Sequence, residues 1–355
     1  MQLTSIAFLA DMSLPTAVVD VLWQNSHATA QSLAEKLPQT LIGSGDAQSA
    51  IARGNASETI SPRIAPRIAP GIKSDPIYLQ AIDDYWQRQK KREQQLEKES
   101  QHPENEESIR QIQQQGLQDR TEQTQLILER LREWQAEKIQ HQLEQLPEIY
   151  QKEVWLFRLS QTVTQKMLRD HSKQHRLLIL AAPLKISHTC PETFHENLTL
   201  QFTDQLERFF HHYYPLGCNS PMTPASPVEF YGEYLSEPIS KVNLSMIQEI
   251  LAPIPTAILY TNITDTQMNC HLGFWTPASD RIAFYPLPSW NWQGAKSSLD
   301  AEGIDSGKAL EVIEEIAIAI HQVLAAFIAD WYYLQVNPIS EPRLFHLENS
   351  GSENG

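Results

Sequence analysis

The sequence predicts an α/β fold: a mostly parallel three-layer sheet of about five strands with an antiparallel extension, preceded by a long helical arm or helical hairpin. Three observations carry that expectation. Between residues 177 and 260 three short apolar runs alternate with two amphipathic ones, the strand–helix–strand order of right-handed crossovers. Two further apolar runs follow through turn-like segments. Ahead of all this, residues 76–150 hold 17 glutamines with 10 basic and 15 acidic side chains, and their apolar residues recur at helical spacing.

Leu177 to Ala182 is apolar without interruption and ends at Pro183, as a strand buried on both faces requires. Thr203 to Tyr214 is amphipathic, with Phe202, Leu206, Phe209 and Phe210 on one side, and stops at Pro215 and Gly217. Val228 to Tyr231 is the second strand. A helix from about residue 240 to Leu251 turns Val242, Met246, Ile247 and Ile250 inward, and Thr256 to Tyr260 is the third strand. Met268 to Trp275 and Arg281 to Pro286 extend the sheet in antiparallel fashion. Ser306 to Val336 is apolar on nearly every face and so needs burial on most sides. A helical region at 150–170, with Trp155, Leu156, Leu159, Val163 and Met167, offers it a similarly wide apolar face.

Five segments result. Residues 1–37 form a small helical module, with Val18, Val19, Leu22 and Trp23 at helical spacing. Residues 38–75 are a flexible linker whose tandem Pro62-Arg63-Ile64-Ala65 and Pro66-Arg67-Ile68-Ala69 forbid helix. Residues 76–150 are the arm, 151–340 the globular domain and 341–355 a disordered tail. Within the arm Leu128, Leu131, Ile139, Leu143 and Leu146 keep one helical face, and the chain breaks around Pro103. That face calls for a partner: the same chain, a second copy or another protein.

A formal net charge of −15 argues against binding a phosphate backbone or an anionic membrane. Three cysteines (Cys190, Cys218, Cys270) form no disulfide framework. The first ten residues lack the basic start of a secretory signal. Ile316 to Ala329 carries no formal charge, but 14 residues fall short of the roughly 18 that a membrane span needs. The expectation is a cytoplasmic protein with no membrane span and no nucleic-acid partner.

The parts for familiar chemistries are missing. Gly43-Ser44-Gly45 lacks the Gly-Lys-Ser/Thr of a phosphate loop, and Pro183 to Ser187 after the first strand contains no glycine for a dinucleotide. His171 and His175, i,i+4 on a helix, and the group His188, Cys190 and His195 lack the paired spacing of a zinc site, so neither metal nor cofactor is expected. Glu229, Glu233 and Glu237 lack the nearby lysine that a metal-dependent nuclease would want. His211 and His212 read as helix-terminal cations.

Ligands of open parallel sheets sit beyond the carboxyl ends of the strands. That edge offers Ser187 and His188, then Tyr234 and Ser236, then Asn262 and Asp265. Trp275, Trp290 and Trp292, with Leu128, Leu131 and Ile139 of the arm, are the candidate interaction residues. The function expected is a non-enzymatic adaptor or regulatory scaffold, partnered by another protein or by itself through the arm. The alternatives are a small-ligand sensor signalling through the arm, or a hydrolase using His188, Cys190, Asn262 and Asp265.

Overall fold

The computed structural model describes residues 75–340, apart from 101–104, 153–159, 218–224, 233, 240, 278–281 and 287–288, together with Arg343. The expected module at 1–37, nearly all of the linker and the tail at 341–355 lie outside the described residues, as do Trp155, Leu156 and Leu159.

The elements are α1 (Pro76–Glu99), α2 (Glu106–Lys152), α3 (Gln161–Lys173), β1 (Leu177–Ala181), β2 (Lys185–Ile186), α4 (Glu192–Tyr213), β3 (Val228–Tyr231), α5 (Lys241–Leu251), β4 (Thr256–Ile263), β5 (Met268–Trp275), β6 (Ala283–Pro286), α6 (Trp292–Ala301) and α7 (Ser306–Val336). The main strands run in the order β3-β1-β4-β5-β6, with β2 paired to β4. β1 is parallel to both β3 and β4, while β4–β5 and β5–β6 are antiparallel. The predicted α/β class, parallel core and antiparallel extension are therefore present.

Alternation along the strands builds a core on each face. Leu177, Ile179 and Ala181 of β1 join Ala257 and Leu259 of β4 beneath α4 and α7. Leu178, Leu180 and Ile258 point the other way, into a core shared with Met167 and Leu168 of α3 and Leu244, Ile247 and Ile250 of α5. The chain thus crosses from β1 to β3 through α4 on one face, and from β3 to β4 through α5 on the other. β4 lies on the far side of β1 from β3, so the two crossovers share one hand.

α7 runs along the first face. By length and composition it would suffice to cross a membrane, and 78% of its most apolar stretch is buried inside the chain. Its Tyr333 hydroxyl donates to the Pro227 carbonyl (2.5 Å) and accepts from the Leu177 amide (3.1 Å), tying it to the starts of β3 and β1.

α2 is unbroken over 47 residues, about 70 Å at 1.5 Å per residue. Ile127, Leu128 and Leu131 belong to the core beneath α7, whereas Ile139 and Leu146 belong to the core beneath α5. The helix therefore passes across the amino-terminal edge of the sheet. At the crossing, Gln135 Oε1 accepts from His175 Nδ1 (2.8 Å), and the Tyr332 hydroxyl donates to His175 Nε2 (2.9 Å). Farther on, Gln142 Nε2 donates to the carbonyls of Glu249 (2.7 Å) and Ile250 (2.9 Å), at the end of α5 where the helix leaves acceptors free. α1 packs back on α2 through Tyr78, Ala81 and Tyr85. Asp75 caps it, accepting from the amides of Ile77 (2.8 Å) and Tyr78 (3.0 Å).

Candidate functional site

At the carboxyl edge of the sheet, the space beyond β1 and β4 is taken up by the chain itself. After β1 the backbone turns through Pro183, and β2 pairs Lys185 with Asn262 and Ile186 with Ile263. The Ser187 amide then donates to the Ile263 carbonyl (2.8 Å). Ser187, His188, Asn262 and Asp265 do gather at this end, but around paired backbone. The Ser187 hydroxyl is within 2.7 Å of the Thr189 hydroxyl, which closes a small polar turn. Tyr234 leaves the edge altogether. It is buried in the core beneath α5, its hydroxyl 2.6 Å from that of Thr164. Ser236 is exposed beyond β3.

Cys190 sits under this edge, its thiol 3.4 Å from the Thr264 carbonyl. Burial and the Asp265 charge raise its pKa, the reverse of what an activated nucleophile requires. Cys270 is fully enclosed and pushed up to about 12 by burial. Its neighbour His321 donates from Nδ1 to the Ala317 carbonyl (2.7 Å), so Nε2 is free to accept from the Thr261 hydroxyl (2.7 Å). Burial holds that imidazole near 4, neutral and inside the core.

His171 and His175 do not converge on one point. α3 ends at Lys173, so His175 lies past the helix, bonded to Gln135 and Tyr332. His171 Nε2 instead lies 3.5 Å from Glu229 Oε2, which Arg176 Nε approaches to 2.6 Å. Burial, then Arg176 and His175, push His171 well below the ordinary histidine range. Burial also raises the Glu229 carboxyl, against the pull of Arg176. Among the described residues no group of three or more His, Cys, Asp or Glu side chains could hold a metal ion. A groove along α4 is walled by Asp204, Glu207, Arg208, His211 and His212, all from that single helix, so no second element brings groups to converge there.

The six candidate interaction residues are all committed within the chain. Trp275 donates from Nε1 to the Leu251 carbonyl (3.2 Å). Trp292 donates to the Thr264 carbonyl (2.9 Å) and stacks on Phe194 at 5.1 Å. Trp290 exchanges both backbone hydrogen bonds with Met268. Leu128, Leu131 and Ile139 fill the two cores. The reason is amphipathic: the arm face that needs a partner finds it in the sheet and α7.

Among the described residues, one surface outside both cores is the far part of the helical hairpin. From residue 86 to residue 118 no described side chain is buried, so this part stands off the body by about 20 Å. Its seam is polar. Arg92 pairs with Asp119, which also accepts from Gln115 Nε2 (3.1 Å) and lies 3.9 Å from Arg88. Gly116 lets this guanidinium lie close, since an added Cβ there would meet Arg92 Nε at 3.3 Å. Nearer the root, Arg120 donates from Nε to the Tyr85 hydroxyl (3.1 Å). Sequence reasoning located this hairpin but chose its buried leucines as the binding face. On its outer side Trp86 is 48% exposed. The chain matches no protein-family model, no curated protein and no solved structure.

Proposed function

We propose that the protein is a cytoplasmic, non-enzymatic adaptor that presents the projecting hairpin, residues 86–118, to a protein partner from a rigid α/β body. One observation carries this reading. The root of the hairpin is built into the core of the domain, through Tyr78, Ala81, Tyr85, Ile127 and Leu131, while no described side chain of its far part is more than partly buried. A lever anchored in this way holds its outer end at a fixed angle to the body, which is what a recognition element needs.

The test is native mass spectrometry of the gently purified full chain beside a chain in which residues 89–118 are replaced by a short glycine-serine turn. A discrete protein partner or defined oligomer, present with the full chain and lost from the shortened one, supports the adaptor. A stoichiometric small molecule retained by both chains overturns it, and directs attention to the carboxyl edge of the sheet.

A further inference from the structure

The outer side of α1 carries an ordered stripe. Leu79, Asp83, Trp86, Lys90, Glu93 and Glu97 follow one another at intervals of 4, 3, 4, 3 and 4, and all six are exposed. Alternate members of the series are seven residues apart, the heptad spacing at which one helix lays a straight seam along another. The opposite side of α1, with Tyr78, Ala81, Tyr85 and Arg92, is taken up by α2 and the core. Along its length the stripe carries Leu79 and Trp86, 49% and 48% exposed, on either side of the acidic Asp83 near the root, then positive Lys90, then negative Glu93 and Glu97.

We infer that this stripe pairs antiparallel with the same stripe of a second copy of the chain. The inference rests on the reading of the hairpin as the interaction element. Its charge order selects both the occupant and the direction. A parallel pair would set Lys90 against the partner's Lys90 and Glu93 against the partner's Glu93, repulsion at both levels. An antiparallel pair, with its two-fold axis between residues 91 and 92, sets Lys90 against the partner's Glu93 and Glu93 against the partner's Lys90. It also lays each Trp86 beside the aliphatic stem of the partner's Glu97. Two-fold symmetry makes every contact twice. The roots then lie at opposite ends of the seam, which keeps the two bodies apart. The exposed indole supplies the apolar anchor and the charges supply the register.

Sedimentation velocity of the full chain over a range of concentrations, at low and high salt, tests the inference. The wild type self-associates, less so at high salt. K90E and E93K each turn two attractions into two repulsions, and each weakens association by about tenfold. An equimolar mixture of the two variants recovers it, because each chain then meets its complement. W86A also weakens association while leaving the melting temperature unchanged, which separates loss of contact from loss of fold. A wild type that stays monomeric, or a mixture no tighter than either variant alone, overturns the inference. If the shortened chain still loses another protein in that case, the adaptor reading survives without self-pairing. A dimer unaffected by both the reversals and the shortening overturns the seam and the hairpin together.

Discussion

The hydroxyl of Tyr78, in the first turn of α1, donates to the carbonyl of Val336, the last residue of α7, across 2.9 Å and 258 positions of sequence. The carbonyl belongs to a helix terminus with no intrahelical donor, and the phenol is almost wholly buried, so each satisfies the other. Asn337, one residue on, reaches Thr124 of α2 at 3.3 Å. The beginning of the described chain and its last helix are thus fastened together at the root of the hairpin.

Tyr78→Phe keeps the ring but leaves the Val336 carbonyl unpaired. It lowers the unfolding free energy by about 1 kcal/mol in denaturant titration. Trp86→Ala, about two turns farther out and half exposed, changes it by less than about 0.5 kcal/mol. If the two cost the same, the root is not part of the folded core.

Asp119→Ala removes the acceptor shared by Arg92 and Gln115. Amide exchange in the described residues between 86 and 118 speeds up by about tenfold, while exchange in β1 and β4 is unchanged. Equal acceleration in both regions would mean that the hairpin and the sheet unfold as one unit.

Three buried histidines make stability depend on acid. His321 is held near 4 and His175 near 3, with His171 also lowered, all chiefly by burial, against 6.5 in the unfolded chain. The folded state therefore takes up fewer protons than the unfolded state once pH falls below 6.5. The stability they contribute is full above that value and is lost as pH drops toward 4, by about 2–4 kcal/mol for His321 alone. His321→Gln, measured against wild type by urea unfolding at pH 7.5 and pH 5 (about one unit above and below the free value), costs less at the lower pH. A difference independent of pH would place a charged imidazole in the core.

Glu314 runs the other way. Burial, opposed by Asn197 and reinforced by Glu311 and Glu315, raises it to about 7 from 4.5. Its ionisation costs stability above pH 7, and the cost disappears as pH falls through 7 toward 4.5. Glu314→Gln therefore stabilises the protein by about 1 kcal/mol at pH 8 and by nothing at pH 4.5.

Gly232 follows β3 directly against α4. A Cβ there would come within 2.1 Å of Thr203 Cγ2. Gly232→Ala destabilises by about 1–3 kcal/mol, and Thr203→Ala in the same chain recovers most of the loss. Additive losses would show that the backbone, and not this contact, fixes the glycine.

The strands were legible because each is short, apolar and bounded by proline or a turn. Val228–Tyr231 and Met268–Trp275 have the predicted limits, and β4 continues past the predicted Tyr260 only because its last residues alternate with polar ones. β2 was not legible: two residues carry no period, and their pairing with Asn262 and Ile263 depends on where the chain turns after Pro183. The start of α4 was hidden because its first turn, from Glu192, is largely polar. α6 was hidden because Trp290 and Trp292 resemble strand residues, whereas Asn291 accepts from the Gly294 amide (2.8 Å) and starts a helix between them. At the candidate edge, four of the six residues converge. Tyr234 does not, because a phenol with a hydroxyl partner in Thr164 gains more by burial than by lining a loop. The arm leucines showed their common face but not its division between two cores, since a single helix carries no mark of which sheet face it will meet.

Because α2 buries one end of its apolar face on each side of the sheet, it has no surface to settle on until the strands exist. Residues 106–152 leave the ribosome before Leu177, and the root of the hairpin waits for Val336, 258 positions after Tyr78. Until then the nascent chain carries Ile127, Leu131, Ile139 and Leu146, buried in the folded protein, uncovered. Docking of the hairpin therefore closes after the sheet has formed, and until it happens those side chains are open to contact with other chains.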